Sequence, residues 1–206
     1  MFITFEGGEG SGKSTAIKRI VAQLEKEGYQ VVLTREPGGT PISEEIRNVI
    51  LDKKNTDMDP RTEALLYAAS RRQHIVQKIL PALKEGKLVL CDRFLDSSLA
   101  YQGGARGLGI ENVLNVNLFA TEGLEPDLTV LFDISPEEGL ARITANSGRE
   151  VNRLDVEKLS FHKKVRESFR SLAKADPKRY AIIDASKDKE TVYQEAYQAI
   201  EERLKK

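Results

Sequence analysis

Apolar residues recur along this chain with two alternating periods. Phe2-Ile3-Thr4-Phe5 opens as a strand. Ala16, Ile17, Ile20, Val21 and Leu24 then recur at helical spacing before Gly28, which predicts a helix and its stop. Gln30 to Thr34 reads as a second strand, apolar on both faces as in a buried parallel sheet. Thr40 followed by Pro41 has the pattern of an N-cap and first helical residue, opening a helix to about Leu51. Asp59-Pro60 repeats the device and starts a long helix through Leu83, ending near Gly86.

Lys87 to Cys91, Asp127 to Ile134 and Tyr180 to Asp184 supply three more strands, separated by helical patterns at about 110–122, 136–147, 156–175 and 189–205. Ser135-Pro136-Glu137-Glu138 carries a capping-box pattern. Strands separated by helices predict an α/β fold of three layers, a five-stranded parallel sheet with helices on both faces, in a single domain over 1–206. In such sheets ligands bind beyond the C-terminal ends of the strands. Glu6 to Ser14, Arg35 to Gly39, Asp92-Arg93 and Ser135-Pro136 occupy those ends, and the first three sets are expected to converge on one site.

Composition narrows the partners. Lys and Arg number 32 and Asp and Glu 32, so no global field recruits nucleic acid or an anionic membrane, and any anion must be held by locally grouped basic residues. One cysteine, Cys91, excludes an internal disulfide and fits a reducing compartment. Neither a signal-peptide pattern nor an apolar stretch of membrane-spanning length is present, so a cytoplasmic location is expected. His74 and His162 lack partners at metal-ligand spacing and read as structural.

The segment between the first strand and the first helix carries the sharpest chemistry. Gly7-Gly8-Glu9-Gly10-Ser11-Gly12-Lys13-Ser14-Thr15 matches G-x-x-x-x-G-K-[ST], a loop whose amides point at phosphate oxygens ahead of a helix N-terminus. Lys13 supplies positive charge near the β and γ phosphates of a nucleoside triphosphate, and Ser14 an oxygen for Mg²⁺. Asp92, at the end of Leu88-Val89-Leu90-Cys91, is placed to hold a water of the metal shell, and Arg93 to grip a phosphate; a surface ion pair is the plainer alternative. Arg35-Glu36-Pro37-Gly38-Gly39 is a second substrate loop or simply a turn that needs glycine. Arg47, Arg71 and Arg72 lie on helices that can frame an acceptor site. Asp96 to Gly107 mixes aromatic, amide and glycine residues, which suits a base-binding wall and equally a surface loop. Arg142, Arg149 and Arg153 surround the breaker Asn146-Ser147-Gly148, a candidate lid at about 142–153.

Taken together, Phe5-Glu6-Gly7, Gly12-Lys13-Ser14-Thr15, Thr34-Arg35-Glu36-Pro37-Gly38-Gly39, Ser70-Arg71-Arg72, Asp92-Arg93-Phe94 and Ala100-Tyr101-Gln102-Gly103 resemble bacterial thymidylate kinases, P-loop nucleoside monophosphate kinases, over the whole chain. The resemblance implies ATP and dTMP as substrates, Mg²⁺ as cofactor and a homodimer. It also implies that Gly8, Glu9, Gly10, Ser11, Gly12, Lys13, Ser14 and Thr15 hold ATP, with Ser14 and Asp92 at the metal. Arg47 and Arg93 would hold the dTMP phosphate, with Glu36 near the acceptor. Tyr67 would stack on thymine, and Arg71 and Gln102 would bond its edge with Ser98 assisting. Tyr101 would sit beneath the deoxyribose and Glu9 near its 3′-hydroxyl. The loop holds no arginine, so Lys13 and Arg93 would be joined in catalysis by a lid arginine, Arg149 by preference.

Two other readings stay open on the residues alone. A nucleoside kinase would need a carboxylate base for a hydroxyl acceptor, for which Glu36 can serve, whereas a phosphate acceptor needs none. A nucleotide switch would need a guanine-selective motif, and no Asn-Lys-x-Asp occurs.

Overall fold

The computed structural model describes residues 1–145, 153–154 and 157–205. Its strands are β1 (Phe2–Gly7), β2 (Val31–Arg35), β3 (Leu88–Asp92), β4 (Leu128–Asp133) and β5 (Tyr180–Asp184). They form one parallel sheet in the order β2-β3-β1-β4-β5. The helices are α1 (Lys13–Lys26), α2 (Pro41–Leu51), α3 (Pro60–His74), α4 (Leu80–Lys84), α5 (Leu95–Ser98), α6 (Ile110–Thr121), α7 (Pro136–Ala145), α8 (Leu159–Ala175) and α9 (Lys189–Leu204).

Strand alternation assigns the two faces. Ile3, Phe5, Leu88, Leu90, Val130 and Phe132 pack against Ile17, Ile20 and Leu24 of α1 and Ala196 and Ile200 of α9. The opposite parity, Phe2, Val89 and Cys91, packs against Ile75, Ile79, Phe94 and Leu95, while Leu131 meets Val165 and Phe169 of α8. Both faces are therefore covered, as the α/β pattern predicts. Asp59 caps α3 by accepting from the amides of Arg61 and Thr62, and Ser135 Oγ accepts from the Glu138 amide at 3.3 Å.

Three expectations change. β2 is an edge strand, so its outward residue Leu33 is 41% exposed and the strand is not buried on both faces. The long helix from Pro60 contains a π-helical stretch, Ile75–Ile79, that joins α3 to α4. Asp96 to Gly107 is largely not a surface loop: α5 runs on into π-helical Leu99–Ala105, whose Tyr101, Gln102 and Gly103 are buried. The glycines there allow close packing, since a Cβ on Gly104 would collide with Ser168.

Candidate active site

Beyond the C-terminal ends of β1, β2 and β3 lies one cleft of about 430 Å³, within the range of small-molecule sites. Residues 9–15, Arg35-Glu36-Pro37 and Asp92-Arg93 all line it, so the three strand-end sets converge as expected. Pro136, from the fourth set, lines a separate small cavity behind β4.

On one side is the phosphate-binding loop. Gly10 and Gly12 have φ of 69° and 81°, and a Cβ at Gly10 would strike the Gly139 carbonyl of α7. The Lys13 ammonium is buried and donates to the carbonyl oxygens of Gly7 (3.2 Å) and Gly8 (3.4 Å) and to Ser11 Oγ (3.4 Å). Burial, and then the charge of Arg93, lower its pKa to about 8. Ser14 Oγ donates to Asp92 Oδ2 at 3.3 Å, which puts two hard oxygen donors side by side. No cluster of three or more His, Cys, Asp or Glu able to cage a metal occurs among the described residues. That donor set fits Mg²⁺, which takes one or two protein oxygens and completes its shell with water and phosphate.

Opposite the loop, Arg93 has a left-handed backbone (φ 70°), an uncommon state for a residue with a side chain. Its Nη2 donates to Glu9 Oε1 (2.8 Å), which also accepts from the Tyr101 hydroxyl (2.9 Å), and its Nη1 donates to Ser97 Oγ (3.1 Å). Beneath it, fully buried Glu6 accepts from the Phe94 amide (2.8 Å) and from Ser97 Oγ (2.5 Å). Burial first, and the Asp96 charge second, push Glu6 up to about 8. Asp96 is itself paired with Arg179 at 2.6 Å. Glu9 thus bonds Arg93 directly, and Glu6 reaches it only through Ser97 Oγ.

The remaining wall consists of side chains tied to two buried carboxylates. Glu36 accepts from Arg71 Nε (2.8 Å) and bonds His74 Nδ1 (2.9 Å), whose Nε2 meets Thr34 Oγ1 (2.7 Å). Arg71, 1% exposed, donates further to Ser98 Oγ, Asn117 Oδ1 and the Phe94 carbonyl, so each of its nitrogens has a protein acceptor. Glu63, also 1% exposed, accepts from Gln102 Nε2, Arg106 and Arg153. Burial raises its pKa, but the Gln102 hydrogen bond and the two guanidinium groups outweigh this and hold it below the usual carboxylate value. Arg47 donates to the Pro37 carbonyl (2.9 Å), and Tyr67 is buried at the cleft wall with its hydroxyl pKa pushed up by burial.

Lys13, Ser14, Glu36, Arg47, Tyr67, Arg71, Asp92, Arg93, Ser98, Tyr101 and Gln102 therefore share one cleft, together with Glu9. Arg149 lies outside the described residues. Of the other lid candidates, Arg142 donates to Glu138 and to the carbonyls of Ala185 and Ser186. Arg153 is buried against the Ile50 carbonyl and Glu63. Cys91 is buried with its thiol pKa raised, as a core residue rather than a nucleophile. Sequence reasoning missed Glu63, Asn117 and the positioning part of Glu6. Glu63 reads as an ordinary acidic first-turn residue, and only its later burial distinguishes it.

A G-x-x-x-x-G-K-[ST] loop facing an arginine-lined pocket beyond the C-terminal strand ends of a parallel sheet is the arrangement of a P-loop kinase. The family model described as Thymidylate kinase matches residues 5–196. A thymidylate kinase of Bacillus velezensis is 60% identical over 206 residues, covering 100% of this chain and 97% of that one. One from Bacillus pumilus is 57% identical over the same coverage. The crystal structure of a thymidylate kinase from Ehrlichia chaffeensis superposes with a TM-score of 0.78 at 34% identity, covering 98% of each chain. The chain belongs to the thymidylate kinase family, and its activity is ATP-dependent transfer of a phosphoryl group to dTMP, giving dTDP and ADP.

Proposed function

We propose that this cleft carries the reaction with ATP over residues 8–15 and dTMP between Arg47, Tyr67, Arg93, Tyr101 and Gln102. The observation that carries the reading is the Arg93–Glu9–Tyr101 cluster facing Lys13 across one cleft. The acceptor oxygen is already anionic at neutral pH, so no general base is required and Glu36 is left to its buried partners. The reaction's demand is to neutralise and align two mutually repelling phosphates. Lys13 and the loop amides bind the donor, while Arg93 and Arg47 bind the acceptor phosphate. Ser14 and Asp92 would hold Mg²⁺, which supplies charge neutralisation on the donor phosphates. Arg149 supplies the transferring group's remaining cation.

Tyr67 stacks on the base. Ser98 Oγ, shared by two Arg71 nitrogens at 3.2 Å, is the contact that a base oxygen displaces when Arg71 binds it. Tyr101 lies under the sugar and Glu9 toward its 3′-hydroxyl. A homodimer through α3 and α6 would cover Leu65 (57% exposed) and Phe119 (89% exposed), and sedimentation tests it. The site reading is tested by coupled ADP release. Release that depends strictly on dTMP supports it, and ATP consumption without any acceptor would overturn it.

A further inference from the structure

We propose that Glu63 sets the hydrogen-bond polarity of the base pocket by locking the amide of Gln102, so that the pocket selects a pyrimidine bearing an N3–H donor and rejects cytosine. This rests on the reading that the base sits against Gln102. Glu63 touches no nucleotide in that arrangement; it is a positioning residue.

Gln102 Nε2 donates to Glu63 Oε1 at 2.8 Å. The same carboxylate receives Arg106 (3.2 Å to Oε2) and Arg153, so it is ionised and can only accept. An amide turned the other way would set oxygen against oxygen, in a buried place where that repulsion is unscreened. The orientation of Gln102 is therefore dictated by its partner's chemistry. With the amide nitrogen facing Glu63, Gln102 Oε1 has no partner among the described residues. It is not a buried orphan either: among those residues only His162 Nε2 is one, so Gln102 Oε1 opens on the cleft that the residue lines.

An outward-facing carbonyl oxygen accepts from N3–H of thymine or uracil. Against cytosine, whose N3 is an acceptor, it leaves two lone pairs opposed and two acceptors unsatisfied. Sites built to hydrogen-bond one partner reject an analogue lacking it by large factors, about ten-thousandfold in favourable cases. Base choice is thus made by a residue one bond removed from the nucleotide.

The test compares kcat and KM for dTMP, dUMP and dCMP in wild type and Glu63→Gln. Wild type should prefer dTMP over dCMP by about a thousandfold or more in kcat/KM, with dUMP much nearer dTMP. In Glu63→Gln the partner offers either polarity, so the dTMP/dCMP ratio in kcat/KM should fall at least about tenfold while KM for ATP, bound in the other half of the cleft, stays within about threefold. Proportional loss on both acceptors with the ratio unchanged would make Glu63 merely structural and overturn the proposal. Because the substitution leaves two guanidinium groups facing a neutral amide, wild type is also titrated calorimetrically with 3-deaza-dTMP, which has C–H in place of N3–H. Binding about thirtyfold weaker than dTMP is expected, and equal binding overturns the proposal even if the variant does not fold. Wild type without dTMP-dependent turnover would instead sink the underlying site reading, a separately visible result.

Discussion

On the site reading proposed above, the donor and acceptor halves of the cleft are built by different means. The donor half is backbone: glycines with positive φ, amides at the start of α1 and one buried ammonium. The acceptor half is a lattice of side chains from α2, α3, α5 and π-helical Leu99–Ala105, fastened to Glu36 and Glu63. A backbone site is made by local spacing and survives most surrounding change. A side-chain lattice depends on partners 27–46 positions apart, and removing one member leaves a buried charge exposed to no solvent.

The largest test of that contrast is Lys13→Ala. Turnover should fall by about a thousandfold or more, as expected for loss of a cation acting where phosphoryl charge develops. Thermal stability should change little or rise, because the ammonium is desolvated and its pKa is lowered to about 8. Turnover within tenfold of wild type, read by ADP release, would remove Lys13 from the donor site.

Arg71→Met probes the other half and should behave oppositely. Glu36 would lose its guanidinium partner inside the core, costing roughly 3–5 kcal/mol of stability by denaturant unfolding. KM for dTMP should rise far more than KM for ATP. A variant as stable as wild type, with both KM values raised equally, would mean that the acceptor half is not organised around this pair.

The same contrast explains what the chain disclosed. Residues 7–15 announce the donor half because its geometry follows from consecutive residues. The three strand ends that converge were legible for the same reason, since alternating strands and helices determine where they point. Arg71 stood out as an arginine able to frame an acceptor site and Gln102 as part of a candidate base wall, but their role at the base edge came only from family resemblance. Their holders Glu63 and Asn117 were invisible, because an acidic residue in a first turn and an amide in mid-helix look like ordinary surface choices until the fold buries them. Asp96 to Gly107, with Ser97-Ser98 and Gly103-Gly104, suited a base-binding wall and equally a surface loop. The segment forms helix and lines the cleft, and Gly103 and Gly104 let it approach Ile110 and Ser168 closely. Arg153 fits a lid arginine by position, yet tertiary partners on α2 and α3 draw it into the acceptor lattice.

Glu6 lies where the halves meet, and a smaller effect is expected from it. Its pKa is raised in the folded chain, to about 8 from an ordinary 4.5. The folded state therefore holds a proton that the unfolded state has released, and this contribution to stability is lost as pH rises from about 4.5 through 8. Glu6→Gln is neutral at every pH and lacks that slope. Its stability should match wild type near pH 5 and exceed it above pH 8, by a few kcal/mol at most. Parallel denaturation curves at both pH values would show that Glu6 is charged in the folded protein.

The finest distinction lies in the pH dependence of the two substrates. Lys13 is cationic below its pKa of about 8 and neutral above it, and only the cation serves a triphosphate. kcat/KM for ATP should thus be flat at lower pH, about half its plateau near pH 8, and fall by up to about tenfold per unit beyond. At saturating ATP the bound phosphates restore the proton, so kcat should hold to higher pH than kcat/KM. Arg93 and Arg47 stay protonated throughout, so kcat/KM for dTMP at saturating ATP should lack this limb. If both profiles fell together near pH 8, with the fall surviving in Glu6→Gln, the titrating group would belong to the cleft as a whole. The backbone-built half would then have no private ionisation, and the division between the two halves would fail at Lys13.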